Sequence, residues 1–344
     1  MTRLNQIKGC LLGGAIGDAL GYPIEFMSAE HIYHRYGPDG LTDYLLTDGI
    51  AQISDDTQMT LFTADALLCA QKRFPQLPPD EHILLPYIFH CYQDWFLTQT
   101  QEFPLADNTT TYSSLIHIPE LFARRSPGTT CMEALRSGQK GTIEHPINDS
   151  KGCGGIMRVA PIGLYAYHTT LSKPAVALLG AKAAAITHGH ELGYIPAAAL
   201  VYMIAELSSN TSVSIQAAVQ GISPLLISIF PMTEHLRQLL TLIDQAQMLA
   251  TMNISPDKAF EVLGQGWVAE ETLAIAIYCA LKYSDNFEKG VLAAVNHSGD
   301  SDSTGSITGQ ILGAALGFEA IPKKFIDVLE LKEVILKISH QMVH

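Results

Sequence analysis

Residues 8–26 read KGCLLGGAIGDALGYPIEF and residues 301–317 read SDSTGSITGQILGAALG, so each stretch carries glycine at every fourth position. The two rows are Gly9, Gly13, Gly17 and Gly21, then Gly305, Gly309, Gly313 and Gly317. A glycine inside a helix destabilises it by about 1 kcal/mol relative to alanine, so such rows indicate compensation from packing. A stripe without side chains lets a second helix come nearer than the usual distance of about 8–10 Å. If the two helices pack antiparallel, the residues after the first helix lie beside the residues before the second; two unrelated helices with small faces are the alternative.

The rest of the chain has the periodicity of an all-α protein. Of its 344 residues, 47% are hydrophobic and 16% are charged, and apolar residues recur at helical spacing while alternating β-branched runs are nearly absent. No linker or low-complexity tract divides it, so we expect one compact domain over residues 1–344. The predicted helices cover about 3–20, 56–71, 83–97, 112–124, 155–166, 173–187, 194–208, 213–228, 233–250, 267–283, 303–317 and 324–340.

Charge and cysteine content restrict the partners and the compartment. The formal net charge of −13 argues against a nucleic-acid partner, because a polyanion would be repelled. Six cysteines without a CxxC pair favour a reducing cytoplasm. The start of the chain has an apolar run, but Asp18 falls within it and no small-residue cleavage site follows, so we expect no export. Residues 171–205 are strongly apolar, but His188 and Glu191 interrupt them and we expect no membrane span.

Three separated segments concentrate carboxylates at helix ends. Glu25 follows the first glycine helix, Asp55 and Asp56 precede an apolar helix, and Asp300 and Asp302 precede the second glycine helix. Capping of helix N-termini explains one such residue per helix. It does not explain five carboxylates that would meet if the glycine helices pair, because charges about 4 Å apart repel by about 1–4 kcal/mol at effective dielectric constants between those of water and the protein surface.

A divalent cation would relieve this repulsion. The donors are all oxygen, a set that suits Mg²⁺, Mn²⁺ or Ca²⁺ better than zinc. In an extended segment the side chains of Asp300 and Asp302 point the same way, and Ser303 adds a neutral oxygen. The pattern therefore indicates one or two ions, and the twelve-residue pattern of an EF-hand is absent.

Other polar positions admit two interpretations each. Gly152, Cys153, Gly154 and Gly155 form a glycine-rich loop before a predicted helix, which is either an anion-binding loop or an ordinary turn. His188 is better explained as a hydrogen-bonding pocket wall than as a zinc ligand. Cys153 is better explained as a small buried thiol than as a nucleophile. Trp267 either belongs to the core or lines a slot for a planar ligand.

Taken together, these segments resemble the ADP-ribosylglycohydrolase family, which includes the dinitrogenase reductase-activating glycohydrolase and the ADP-ribosylarginine hydrolases. The resemblance spans nearly the whole chain and rests on six segments in family order: KGCLLGGAIGDALGYPIEF, SDDTQM, KGCGGIMRVAPIGL, ITHGH, GQGWVAEETLAIAIYCAL and AVNHSGDSDSTGSITGQILGAALG. It implies a compact orthogonal helical bundle with a metal cleft. It also implies two ions, usually Mg²⁺ or Mn²⁺, at the floor of that cleft.

The resemblance further implies roles for individual residues. The metal ligands of the family fall on Ser54, Asp55, Asp56, Asp300, Asp302 and Ser303. Glu25 matches an acidic residue that lies near the metals and gates the site or positions the substrate. Residues 152–155 resemble the cradle of a diphosphate, and His188 and Trp267 match positions near bound ADP-ribose. The serines of SDD and DSDS resemble the arginine-hydrolase branch.

The activity implied is hydrolysis of the N-glycosidic bond between ADP-ribose and an arginine of a modified protein. Divalent ions would hold the ribose diol and lower the pKa of water, while Asp55, Asp56 or Glu25 takes a proton. O-linked serine adducts and other ADP-ribose conjugates are alternative substrates. A second hypothesis is an immunity or binding protein that masks a toxin or its target, with residues 99–114 as a lid or partner-binding loop.

Overall fold

The computed structural model describes residues 1–77, 79–209 and 213–343 of the chain. Within these ranges regular structure is helical, apart from isolated β-bridges, and the helices enclose one continuous hydrophobic core. The predicted all-α fold is confirmed. In chain order the α-helices are α1 (Arg3–Gly21), α2 (Ala29–Tyr36), α3 (Asp55–Arg73), α4 (Glu81–Thr100), α5 (Thr129–Arg136), α6 (Ala160–Tyr165), α7 (Lys173–Ala185), α8 (Glu191–Ser209), α9 (Ile215–Gln220), α10 (Ile222–Ile229), α11 (Glu234–Thr251), α12 (Pro256–Leu263), α13 (Ala269–Lys282), α14 (Phe287–Val295), α15 (Ser301–Leu316), α16 (Lys323–Asp327) and α17 (Lys332–Gln341).

The glycine rows of α1 and α15 face each other through the centre of the molecule. A β-carbon on Gly9 would come within 3.0 Å of the Gly313 carbonyl oxygen, and one on Gly17 would do the same to Gly305. Residue numbers rise along α1 as those of the facing residues on α15 fall, so the helices run antiparallel, which is the first of the two arrangements that the glycine rows allowed. The C-terminal end of α1 therefore lies beside the N-terminal end of α15.

Several predicted helices are shorter than expected. The stretch 112–124 is not an α-helix but two 3₁₀ turns, Ser114–His117 and Pro119–Phe122, because Pro119 lacks an N–H and restricts the residue before it. The stretch 155–166 becomes α-helical only from Ala160, after the 3₁₀ turn Cys153–Gly155. The stretch 213–228 divides at Gly221. The stretch 324–340 divides before Leu331, whose φ of 56° is left-handed.

Four short helices, α2, α5, α12 and α14, were not predicted. Each has eight or nine residues, which is too short for apolar periodicity to be distinctive. They begin after Ser28, Gly128, Ser255 and Asn286, and three of these four residues are favoured at helix N-caps.

The apolar stretch around residues 191–209 forms α8 and lies in the protein interior. Among the described residues, α8 alone has the length and hydropathy that a membrane-spanning helix requires, and 83% of its apolar window is buried. Its contacts with α7, α6 and α13 account for this hydropathy by packing.

Candidate active site

The three acidic segments meet at one end of the α1/α15 pair. The 3₁₀ turn Tyr22–Ile24 ends α1 and is followed by Glu25, while Asp300 caps α15 and Asp302 lies in its first turn. Asp55 and Asp56 form the first turn of α3. The antiparallel glycine helices thus bring together carboxylates that lie about 275 residues apart in the sequence.

A buried aspartate within α1 holds the start of α3 in place. The carboxylate of Asp18 accepts hydrogen bonds from the backbone N–H of Ser54 (2.9 and 3.0 Å) and of Thr57 (3.0 Å), and from the Thr57 hydroxyl. Because these are orphan donors of a helix N-terminus, Asp18 both caps α3 and ties it to α1. Sequence analysis noted Asp18 only as an interruption of an apolar run and missed this role.

The carboxylates form a compact and buried cluster. One oxygen each of Glu25, Asp300 and Asp302 lies within 4.8 Å of the other two. Asp56 joins them through Ser303, whose hydroxyl donates to Asp56 Oδ1 at 3.3 Å. Asp55 Oδ2 accepts a hydrogen bond of 3.1 Å from the backbone N–H of Gly128.

The electrostatics of the cluster favour a positive ligand. Burial, followed by the charge of the neighbouring carboxylates, raises the pKa of Asp56 well above its ordinary value and raises the pKa of Glu25 to about 8. Burial likewise raises the pKa of Asp55 and of Asp302 well above the ordinary value, and that of Asp300 to about 6. In the described ranges, no Lys or Arg side chain forms an ion pair with any of the five carboxylates.

The residues present fit a divalent cation. Glu25 Oε2 and Asp56 Oδ2 are buried without a hydrogen-bond partner, a state that is unfavourable for a carboxylate unless a cation or water satisfies it. The donors are hard oxygens, which suit Mg²⁺ or Mn²⁺. Ser54 differs from the other predicted ligands, because it is fully buried as the N-cap of α3 and its hydroxyl accepts from Asp56 N–H at 3.2 Å. Its role as a ligand stays a prediction.

The cluster forms the floor of a cavity of about 450 Å³. Most of the predicted site residues line this cavity together, whereas Ser54 and Gly155 do not. The predicted residues that line it are Glu25, Asp55, Asp56, Gly152, Cys153, Gly154, His188, Trp267, Asp300, Asp302 and Ser303.

The glycine loop forms one wall of the cavity, and backbone contacts with residues 268 and 269 hold it in position. The backbone N–H of Ala269 donates to the Lys151 carbonyl at 2.9 Å, and Gly152 forms an antiparallel bridge with Val268. A β-carbon on Gly154 would lie 2.9 Å from Cys131 Sγ, so this position requires glycine. Gly155 lies behind the wall, where a β-carbon would be 3.0 Å from the Gly193 carbonyl oxygen.

Cys153 and His188 occupy apolar or desolvated surroundings. Burial, followed by the charges of Asp300 and Asp56, raises the pKa of the Cys153 thiol well above its ordinary value, which disfavours the nucleophilic thiolate. Burial, followed by the positive charge of Arg158, lowers the pKa of His188 to about 3. His188 is therefore a neutral ring in the cavity wall at physiological pH.

Two aromatic rings mark the rim. Phe26 and Trp267 stack with ring centroids 5.6 Å apart and an interplanar angle of 19°, although 76% of Phe26 and 38% of Trp267 are exposed. Sequence analysis missed Phe26, whose position directly after Glu25 was the available signal.

A further segment of the wall was also missed. Residues 126–131 line the cavity, and Ser126 has a left-handed φ of 46°. The sequence Ser126-Pro127-Gly128 has turn chemistry that could have indicated an irregular loop. Residues 99–114 contribute nothing to the cavity lining. Their C-terminal end is instead anchored by Asp94, which accepts from Tyr112 N–H (2.7 Å) and Ser113 N–H (2.6 Å).

The fold and this cavity define an all-α scaffold of the ADP-ribosyl hydrolase type. A solved structure described as an ADP-ribosylglycohydrolase-related protein complex has the same fold, with a TM-score of 0.58 and 22% sequence identity over 99% of this chain and 97% of that one. The family model for ADP-ribosylglycohydrolase matches residues 1–344, so the chain belongs to the ADP-ribosylglycohydrolase family. Members of this family hydrolyse ADP-ribose linkages.

The names of relatives within the family differ in whether they specify the modified amino acid. The chain is 24% identical to the ADP-ribosylhydrolase ARH3 of Danio rerio over 93% of this chain and 85% of that protein. Over 85 residues, 25% of this chain and 23% of the relative, it is 38% identical to the ADP-ribosylarginine hydrolase Tri1 of Serratia proteamaculans. The family thus defines the reaction as hydrolysis of an ADP-ribose linkage, while only the second of these two names specifies the amino acid that carries the ADP-ribose.

Proposed function

We propose that this protein is a metal-dependent hydrolase that removes ADP-ribose from modified protein side chains, with N-linked arginine as its main substrate. The observation that carries the proposal is the meeting of five buried carboxylates, unpaired with any cation among the described residues, at the floor of a cavity walled by a glycine loop.

The cation would be held by Asp55, Asp56, Asp300 and Asp302, with Ser54 and Ser303 as neutral oxygens. Two Mg²⁺ or Mn²⁺ ions in this site would supply a positive field for the ribose hydroxyls and ease deprotonation of water. One of Asp55, Asp56 and Glu25 would accept the proton of that water. Water adds to the anomeric carbon, the bond from this carbon to the guanidine nitrogen breaks, and the guanidine leaves with a proton.

The walls suit the remainder of ADP-ribose. The loop of Gly152, Cys153 and Gly154 presents backbone without side-chain bulk, which suits the close approach of a diphosphate. His188 offers a ring nitrogen beside this loop, and Trp267 offers an aromatic face for a planar base.

The preference for arginine rests on three observations. A stretch of the chain is 38% identical to an ADP-ribosylarginine hydrolase. The serines of its SDD and DSDS segments resemble the arginine-hydrolase branch. The net charge of −13 favours the approach of arginine-rich protein surfaces. We also propose a cytoplasmic location, because all six cysteines are free.

The test uses proteins labelled with ADP-ribose on arginine or on serine. Each is incubated with the wild-type protein, with Asp302→Asn, and with Asp244→Asn, a control in an exposed position of α11. Every reaction is run with Mg²⁺, with Mn²⁺ and with EDTA. We expect release of free ADP-ribose from the arginine adduct by the wild type and by Asp244→Asn with a divalent ion.

Three other results would change the proposal in different ways. Faster release of ADP-ribose from the serine adduct would make serine, and not arginine, the proposed substrate. Equal release in EDTA would show that hydrolysis does not require a divalent metal ion. Binding of the labelled protein or of its transferase without release of ADP-ribose would favour a masking protein.

A further inference from the structure

A fully buried arginine lies behind the His188 wall without a carboxylate partner. The side chain of Arg158 is 0% exposed, and no described acidic residue forms an ion pair with it. Its guanidinium stacks on the Tyr92 ring at 4.1 Å and donates to the Ala183 carbonyl at 3.3 Å. A buried charge held only by neutral groups is unfavourable, so Arg158 requires an explanation.

Arg158 is connected to the cavity by a short chain of hydrogen bonds. Its Nη2 lies 2.7 Å from Thr187 Oγ1, and Thr187 Oγ1 lies 2.8 Å from His188 Nδ1. On the other side of the ring, a β-carbon on Gly152 would lie 3.5 Å from His188 Nε2. The ring therefore spans the distance from the buried hydroxyl to the glycine loop.

The direction of each hydrogen bond follows from the donors available. An arginine side chain only donates, so Thr187 Oγ1 accepts from Arg158. The other partners of this hydroxyl are His188 Nδ1 and the Cys131 thiol. Because a thiol sulfur is a weak acceptor and an imidazole nitrogen a strong one, the proton of the hydroxyl points to His188 Nδ1. A neutral imidazole that accepts at Nδ1 carries its proton on Nε2.

We propose that Arg158 and Thr187 are positioning residues that fix His188 as the neutral Nε2–H tautomer, so that the ring donates a hydrogen bond to an oxygen of bound ADP-ribose. This inference rests on the proposed function. His188 is then a hydrogen-bond donor in the wall and not a proton acceptor in the reaction. Nothing within the described residues hydrogen-bonds Nε2, which leaves this donor free for a ligand.

The first experiment examines the ring without substrate. Long-range ¹H–¹⁵N NMR spectra of the wild-type protein are compared with those of His188→Gln, which assigns the ring signals among the 13 histidines. We expect an unprotonated, hydrogen-bonded Nδ1 and a protonated Nε2. In Thr187→Val the Nδ1 signal should move, since the donor is gone, and Thr187→Ser should restore it.

The control for these variants is Thr98→Val, which removes another buried threonine hydroxyl, bonded to the Trp95 carbonyl at 2.7 Å, outside the cavity. A proton on Nδ1 in the wild type, or an unchanged Nδ1 signal in Thr187→Val, would overturn the proposal. The wild-type spectrum decides this even where a variant fails to fold.

The second experiment measures ADP-ribose binding by calorimetry and hydrolysis by steady-state kinetics. In Thr187→Val the His188 ring is no longer fixed as the tautomer that donates from Nε2. Loss of this fixed donor to the ligand should raise both Kd and KM by about fivefold to tenfold, with kcat within about twofold. His188→Gln, which keeps an amide donor near the Nε2 position, should lose less affinity than His188→Asn. A fall in kcat with unchanged KM would overturn the donor role.

The two proposals fail separately. Absence of hydrolysis by the wild type would refute the proposed function, while the ring spectrum and ADP-ribose binding would still decide the role of Arg158 and Thr187.

Discussion

The α1/α15 contact and the acidic floor are adjacent in space and opposite in their physics. In the contact, Gly13 and Gly309 meet backbone to backbone, and any added atom would overlap a carbonyl group. In the floor, carboxylates such as Asp56 and Asp302 lie close without a compensating charge, and their pKa values are raised by burial and by one another. The helix contact leaves no room for an added atom, whereas the acidic floor retains unfavourable electrostatic interactions.

This difference indicates that the close packing of the glycine helices holds the carboxylates of the floor in place. A close helix pair fixes the relative positions of Glu25 and Asp302, which lie at opposite ends of the chain and repel each other. Sites that retain repulsion and unsatisfied groups are typical of function. Substitutions in the two regions should therefore separate stability from activity.

The largest effect is expected from a conservative change in the floor. Asp302→Asn keeps the shape of the side chain and removes one charge, so hydrolysis of the arginine adduct should fall by about 10²- to 10³-fold. Steady-state kcat/KM measures this loss, and circular dichroism checks that the fold is retained. Activity within about threefold of wild type would contradict the role of the floor.

The next largest effect is expected in the helix contact. In Gly17→Ala the new methyl group would overlap the Gly305 carbonyl, and since both partners are backbone, the free energy of unfolding should fall by about 3 kcal/mol. Gly14→Ala is the comparison variant and should lose less stability, because its methyl group meets the Gln310 side chain, which can shift, and not a backbone carbonyl. Urea denaturation of both variants measures the difference, and equal stabilities would show that the contact is not close-packed.

The helix contact and the acidic floor could be predicted only as far as their residues form recognisable patterns within short stretches of sequence. The spacing of the glycines indicated close helix packing, because each interior glycine destabilises a helix, but it did not distinguish an antiparallel pair from two unrelated helices. The acidic segments were recognisable because adjacent carboxylates exceed what capping needs. Both signals are contained in single short stretches.

The parts that sequence reasoning missed depend on tertiary contacts. Asp18 is one polar residue in an apolar helix, and only the structure shows that it caps α3 through Ser54 and Thr57. Phe26 is an exposed aromatic residue whose partner Trp267 lies 241 positions away in the chain. The short helices such as α5 are formed by tertiary packing, so periodicity could not reveal them.

Binding of a divalent ion to the floor should raise the free energy of unfolding of the protein by an amount similar to the loss expected for Gly17→Ala. At a concentration of one hundred times Kd, binding to the folded state alone adds about 2.7 kcal/mol, so Mg²⁺ or Mn²⁺ should raise the Tm of the wild type. The increase should be much smaller for Asp302→Asn and unchanged for Asp244→Asn. Differential scanning calorimetry in EDTA and after addition of the ion measures it, and an equal shift in Asp302→Asn would place binding elsewhere.

A smaller effect concerns pH in the absence of metal. The folded protein holds protons on Glu25, with a pKa of about 8, and on Asp300, with a pKa of about 6, more tightly than the unfolded chain does. The buried neutral rings of His188 and His297 act in the opposite direction only below the ordinary pKa of histidine, about 6.5. Since the folded state above this pH binds more protons than the unfolded chain, its stability in EDTA should fall as pH rises from about 6.5 to about 8. Asp302→Asn should flatten this fall and be about 1 kcal/mol more stable near neutral pH.

Chemical denaturation in EDTA at several pH values tests this sign. Stability that rises with pH over the same range would show that the carboxylates are compensated by a group of the protein itself.

The smallest effect is expected at the rim, where neither close packing nor repulsion operates. Phe26 is 76% exposed, so Phe26→Ala should change the free energy of unfolding by less than about 0.5 kcal/mol. Loss of its stacking with Trp267 should raise the Kd for ADP-ribose about threefold to tenfold if a planar base packs on this pair, since an aromatic contact contributes about 0.5–1.5 kcal/mol. Tyr167→Ala removes an aromatic side chain of similar exposure that contacts the Arg3 guanidinium and does not line the cavity, so it should leave the Kd for ADP-ribose unchanged. Binding of ADP-ribose that weakens equally in both variants would show that the rim plays no part in recognising the base.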